Sequence, residues 1–274
     1  METIERKDLT PILDPHTGNK VFAQVLDGVA SNDELLRLLA RYIQFNSPFG
    51  GGVANLAGEI AVRQDLFRDP DEPLGITADR SVEVASKIFF AAIDEFNDRA
   101  TPHMDTHRTL AQATLKGAGQ FFGYDPSALN GVVSVNEITA AAIGKVRKGY
   151  AVSQSVDEQD LFRALGFHMG SEILADEEFR LLDGFLRKKY PALVDCLEKT
   201  KVEINGVQHA AYYWVRIHTT VEADHFTAAA AGANQALQYY AGQESQYQVK
   251  EWILAGFAEF ASVQTEFMRG LPED

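Results

Sequence analysis

The octapeptide HTTVEADH, residues 218–225, sets His218, Glu222 and His225 at positions i, i+4 and i+7. On a helix that spacing projects all three side chains from one side, so three groups able to bind a metal share a stripe. Trp214, one turn earlier, and Ala229, one turn later, continue the stripe with apolar residues, which turns it toward the interior. Neutral imidazoles with a carboxylate suit iron, manganese or zinc, whereas calcium and magnesium ordinarily require more oxygen. Spacing alone describes equally well a polar helix face that carries two histidines by chance.

A second carboxylate, Glu172, stands among Leu165, Phe167, Met169, Ile173 and Leu174. In such apolar surroundings it is costly unless paired, protonated or bound to a cation. His168 lies one turn before it as a ligand, a supporting donor or a pocket residue; taken alone, it reads first as a satisfied core histidine. A third cluster, AAIDEFNDRATPHMDTH, offers Asp94, Glu95, Asp98, His103, Asp105 and His107 around Pro102. A charge-rich break between helices is commonly solvated loop and cap, and most of these side chains are expected to be that.

The three clusters occur in the order found in the haem-oxygenase-like non-haem di-iron oxidases, and the chain resembles that family over roughly residues 80–235. Asp94-Glu95, then His107-Arg108-Thr109-Leu110, is similar to the family's first two elements. Leu165-Gly166 leading to Glu172, and YYWVRIHTTVEADH, resemble the last two. Phe96-Asn97 departs from the small-residue pattern that follows Asp-Glu in many members. The resemblance implies a haem-oxygenase-like helical bundle and six ligands, Glu95, His107, Glu172, His218, Glu222 and His225, for two irons that react as Fe2+ with O2, without haem. His103 or Asp105 remains an alternative on the first pair of elements. His103, His168, Tyr213, Trp214 and Phe167 are the supporting or pocket residues, although core packing is the first reading of each aromatic. The implied reaction is N-oxygenation, C–H abstraction, desaturation or carbon–carbon cleavage of a small, amino-acid-derived substrate, with room for an external electron donor. None of Arg163, Lys145, Arg147 or Arg216 is assigned as its carboxylate anchor.

The elements that must position these residues are helical, because apolar residues recur at helical spacing through most of the chain. The expected fold class is all-α. One or two helices are predicted over 20–44, broken near Ser31-Asn32-Asp33; SPFGGG at 47–52 reads as a turn before a helix at 53–67, and RDPDEPLG at 68–75 as a loop. Further helices are predicted at about 80–97, at 103–122 beyond Pro102, at 135–148, 157–174 and 177–189, and at 209–241 and 246–269. FGYDPSALNG at 122–131 reads as a loop, and the Asn-Gly of KVEINGVQ as a tight turn.

With 274 residues, 46% of them apolar, the chain can bury one sizeable core, and a single domain over 1–274 is expected. A formal charge of −14 opposes binding to nucleic acid or to an anionic membrane surface. One cysteine, Cys196, permits no internal disulfide and no cysteine-rich metal site. The expected setting is the cytoplasm, without a membrane span; a homodimer is expected on symmetry statistics alone. Three rival readings share the sequence. A thiamin-salvage-type hydrolase of the same fold would use Cys196 as nucleophile, a haem oxygenase would need His16, and a metal-free helical interaction protein would keep the acid and histidine stripe as an internal hydrogen-bond network.

Overall fold

In the computed structural model, residues 2–13, 18–72, 78–133, 136–152 and 155–273 are described. His16 lies outside them, as does part of the predicted loop at 68–75. The chain is mostly helical. Short helices α1 (Arg6–Leu13) and α2 (Gly18–Gly28) precede α3 (Asn32–Phe45), which starts where Ser31 accepts from the Glu34 amide. Such a cap satisfies one of the amides that a helix start leaves without a partner. Helix α4 (Phe49–Ala61) follows, then the two-residue strands β1 (Arg68–Asp69) and β2 (Ala78–Asp79), then α5 (Ser81–Phe96). Thr106 caps α6 (His107–Phe121), Asp125 caps α7 (Pro126–Val132) and Asn136 caps α8 (Glu137–Gly149). Beyond them run α9 (Glu158–Lys189) and α10 (Pro191–Lys199). The hairpin of β3 (Lys201–Ile204) and β4 (Val207–Ala210) leads into α11 (Tyr213–Gln238) and α12 (Gln246–Gly270).

Four expectations are corrected. Only Ser47-Pro48 of SPFGGG are turn: α4 begins at Phe49 and ends at Ala61, well short of residue 67. Neighbours come close at Gly50 and Gly52, and a Cβ on Gly52 would lie 2.6 Å from the Tyr150 ring. The stretch at 122–131 contains α7, where Pro126 falls at the first helical position and loses no helical hydrogen bond. Helix α6 starts four residues later than predicted, after an irregular segment, 97–106, that contains Pro102. The segments 157–174 and 177–189 are one helix of 32 residues, since nothing at Ala175-Asp176 breaks it. The Asn205-Gly206 turn is as read, both residues having positive φ (51° and 78°), as a two-residue hairpin of this twist requires.

Helix α9 is the spine, packed against α12 on one side and α11 on the other. It meets α12 backbone to backbone. A Cβ on Gly166 would stand 1.7 Å from the Ile253 carbonyl oxygen, and one on Gly256 1.8 Å from that of Arg163, so no other residue fits either place. Helix α5 lies across α4 and α11, and α6 closes on α3 and α11. One hydrophobic cluster joins buried residues from Ile4 to Leu271. Among the described residues, no helix is long and apolar enough to cross a membrane.

Candidate metal centre

Four helices converge on one buried polar region. Helix α11 brings His218, Glu222 and His225, each 4% exposed, with Trp214 above them. Helix α9 contributes Glu172 and His168, α5 contributes Asp94 and Glu95, and α6 contributes His107 as its first residue. The donor atoms form two triads, Glu95–His107–His218 and Glu172–Glu222–His225, within each of which all lie within 4.8 Å of one another. These are the six residues singled out in the sequence. Glu222 joins the triads, with Oε1 3.8 Å from His218 Nε2 and Oε2 3.5 Å from His225 Nδ1.

Glu95 and His107 are twelve residues apart, and on an unbroken helix they would diverge by about 120°. The segment between α5 and α6 brings them together. Asp98 N donates to the Asp105 carbonyl (3.0 Å), Thr101 Oγ1 to the Asp98 carbonyl (2.9 Å), and Asp105 N to Thr101 Oγ1 (2.7 Å). The reversal leaves His107 Nδ1 3.0 Å from Glu95 Oε1.

Each of the three imidazoles turns one nitrogen to the triads and the other to an oxygen outside them. His218 Nδ1–H donates to the Trp214 carbonyl (2.7 Å), which leaves Nε2 facing Glu95 at 3.7 Å. His107 presents Nδ1 and keeps Nε2 3.4 Å from Asp98 Oδ2. His225 presents Nδ1 to Glu172 (3.4 Å) and keeps Nε2 3.5 Å from Asp94 Oδ2. The Trp214 bond is of the kind that fixes ring orientation and tautomer at metal sites, whereas Asp98 and Asp94 stand behind their imidazoles as charges without a hydrogen bond to them. The sequence showed Asp94 and Asp98 only as members of a crowded cluster, because their role depends on the chain reversal. Phe179 stacks on the His218 ring at 4.2 Å and 17°, and Phe90 meets His225 edge-on at 5.7 Å.

The electrostatics are those of acids and bases forced together. Burial works to raise Glu95, but His107 and His218 hold its carboxyl well below the usual carboxylate range. Burial likewise opposes ionisation of Glu172, and His168 and His225 overcome it. At Glu222 burial wins, helped by the neighbouring Glu172 charge, and its carboxyl rises to about 7. His225 is lowered by burial but raised more by Asp94, Glu172 and Glu222, to about 12.

Two cavities touch this region. One of about 40 Å³ lies between the triads, against Ala175 and Phe179. The other, about 270 Å³, opens onto Glu95, His107 and His218 and is walled by α3, the start of α4, Phe96 and Trp214.

The remaining candidates divide. His168 is fully buried, its Nδ1 3.1 Å from Glu172 Oε1, and so supports that carboxylate from behind. Trp214 lines the larger cavity and supplies the carbonyl that holds His218. Tyr213 is half-buried beside Asp98, and burial followed by that carboxylate pushes its phenol up to about 12. Phe167 is core, packed on Tyr150 and Phe260. His103 is exposed, and Asp105 pairs with His209 at 3.0 Å; neither belongs to either triad. Cys196, on α10, makes its side-chain contact with Thr200 and lines neither cavity. Arg163 and Lys145 are paired with Glu259 and Glu266, and Arg216 is exposed over the Tyr213 ring.

Comparison of the chain with protein-family models gives no match, and comparison with curated proteins gives none.

Proposed function

We propose that this chain is a haem-oxygenase-like, non-haem di-iron oxidase that activates O2 and acts on a small organic substrate of amino-acid origin. The observation that carries the reading is the pair of triads joined by Glu222 beside a cavity. Three carboxylates turned toward one another in the interior repel unless cations or protons lie among them. The donor set fits two divalent transition ions. Two histidines and one carboxylate favour ferrous iron with open positions in the first triad, and two carboxylates with one histidine make the second a harder, more oxygen-rich site. Two ferrous ions held there would supply the electrons that reduce O2.

The chain's own residues do the rest. Glu95, His107 and His218 form a wall of the 270 Å³ cavity, so a molecule in it lies against the first triad. Phe49, Phe96 and Trp214 keep that space apolar and hold bulk water away from the reacting groups. Glu222, with a carboxyl near neutrality, is placed to hold or release a proton as occupancy of the two triads changes.

Anaerobic titration with Fe2+ followed by mixing with O2 in a stopped-flow spectrophotometer tests the reading. The expected result is uptake of two irons per chain and a transient visible band, both lost in Glu172→Ala and His225→Ala. A chain that takes up no iron, and whose His218→Ala variant loses only stability, is instead the metal-free network protein.

A further inference from the structure

We infer that Arg108 is the anion anchor of the larger cavity, and that the cavity takes a small monocarboxylate whose apolar portion lies against Phe49, Phe96 and Trp214. The inference rests on the oxidase reading for the fate of the bound molecule, but not for its binding. Arg108 follows His107 directly on α6, and the two side chains line the same cavity. Its guanidinium donates to the Ile43 carbonyl (3.0 Å) and to Gln44 Oε1 (3.4 Å), which steadies it against α3 and leaves further N–H donors. Both acceptors are neutral. Among the described residues no carboxylate pairs with Arg108, although the chain carries 39 acids against 25 Lys and Arg.

Its position makes that lack of a counter-ion more telling. Arg108 is in the first turn of α6, which holds no acidic residue, and there the helix dipole opposes a cation. A half-buried cation, at the unfavourable end of a helix and without an anion, is destabilising for the fold alone. A bound anion removes the penalty. Among the described residues, and setting aside the imidazoles, Arg108 is the one cationic side chain on the cavity wall, which matches a singly charged group better than a phosphate of nearly two charges. The planar fork fits the two oxygens of a carboxylate. A volume of about 270 Å³ lies at the lower edge of the ~300–1,000 Å³ common for small-molecule pockets, so the ligand is small.

The test is calorimetric titration of the purified full chain, metal-free and anaerobically loaded with Fe2+, with a panel of straight-chain and aryl monocarboxylates and their primary amides. At least one acid is expected to bind about tenfold or more tightly than its amide in the metal-free chain, as a charge-assisted contact predicts. Arg108→Met should abolish that preference, and Arg108→Lys, which keeps the charge but not the fork, should retain part of it. If no acid binds, if acids and amides bind alike, or if Arg108→Met keeps the preference, the inference is overturned. The wild-type comparison decides even if Arg108→Met fails to fold. Iron uptake, measured separately, distinguishes the two failures: two irons without carboxylate preference refutes the anchor alone, and carboxylate preference without iron refutes the oxidase alone.

Discussion

Gly50, in the first turn of α4, stands directly over Glu95, and a Cβ placed on it would come 3.1 Å from the Glu95 Cβ and 3.4 Å from Oε2. Glycine there leaves room for a carboxylate that has to reach His107 and His218. Gly50→Ala should separate two quantities. Alanine favours a helix by about 0.5–1 kcal/mol, which offsets the crowding, so metal-free stability should change by no more than about 1 kcal/mol. Displacement of Glu95 by a few tenths of an ångström should weaken iron binding at its triad by about tenfold. Urea denaturation and Fe2+ titration measure the two, and unchanged iron affinity would remove Glu95 from the ligand set.

Metal binding should become steeper in acid. Without metal, His225 at about 12 keeps its proton throughout the neutral range, and Glu222 at about 7 gains one as the pH falls. Both sites must lose those protons to bind an ion. Log affinity at the second triad should therefore rise by about one per pH unit above neutrality and by about two per unit below it. Proton release measured in two buffers of different ionisation enthalpy checks the count.

Asp98 and Asp94 offer a way to address the two triads separately. Asp98→Asn loses the charge behind His107, and Asp94→Asn the charge behind His225, where the carboxylates lie at 3.4 and 3.5 Å. Each variant should weaken its own triad by about 10- to 100-fold and leave the other within a few-fold. Metal analysis after gel filtration should then find close to one ion per chain in either variant. Two retained ions in both would show that these aspartates serve the fold and not the imidazoles.

The helical class and the acid and histidine stripe on α11 were legible because they depend on local periodicity: His218, Glu222 and His225 share a face whatever else the chain does. Glu172 was legible through its apolar neighbours. What sequence could not convey depends on where the chain turns back. The meeting of Glu95 with His107 needs the Asp98–Asp105 bridge, and the same reversal leaves His103 and Asp105 outside the triads. Glycine misled the reading at the start of α4. Gly50 to Gly52 look like turn residues by composition, and only the crowding against Glu95 and Tyr150 explains why Gly50 and Gly52 are glycines inside a helix. Arg108 was passed over as part of the His-x-x-Leu match, since its lack of a carboxylate partner is a property of its surroundings.

Glu178, also on α9, gives the fold a pH dependence of its own. Its carboxylate is 3% exposed, takes a hydrogen bond from Tyr42 Oη at 2.8 Å and another from Gln264 Nε2, and burial still pushes its carboxyl up to about 7. Below the ordinary value of 4.5 it is protonated in both the folded and the unfolded chain, and the stability is fully present. Between 4.5 and about 7 the folded chain keeps a proton that the unfolded chain releases, so stability falls as the pH rises, and above about 7 the loss is complete. The gap between the two values corresponds to about 3 kcal/mol. Glu178→Gln, neutral at every pH, should lack this term. Urea denaturation of the metal-free chains should show the variant gaining on the wild type by about 3 kcal/mol from the acid to the alkaline side of that window. A constant difference across it would mean that Glu178 stays ionised on folding, held by Tyr42 and Gln264.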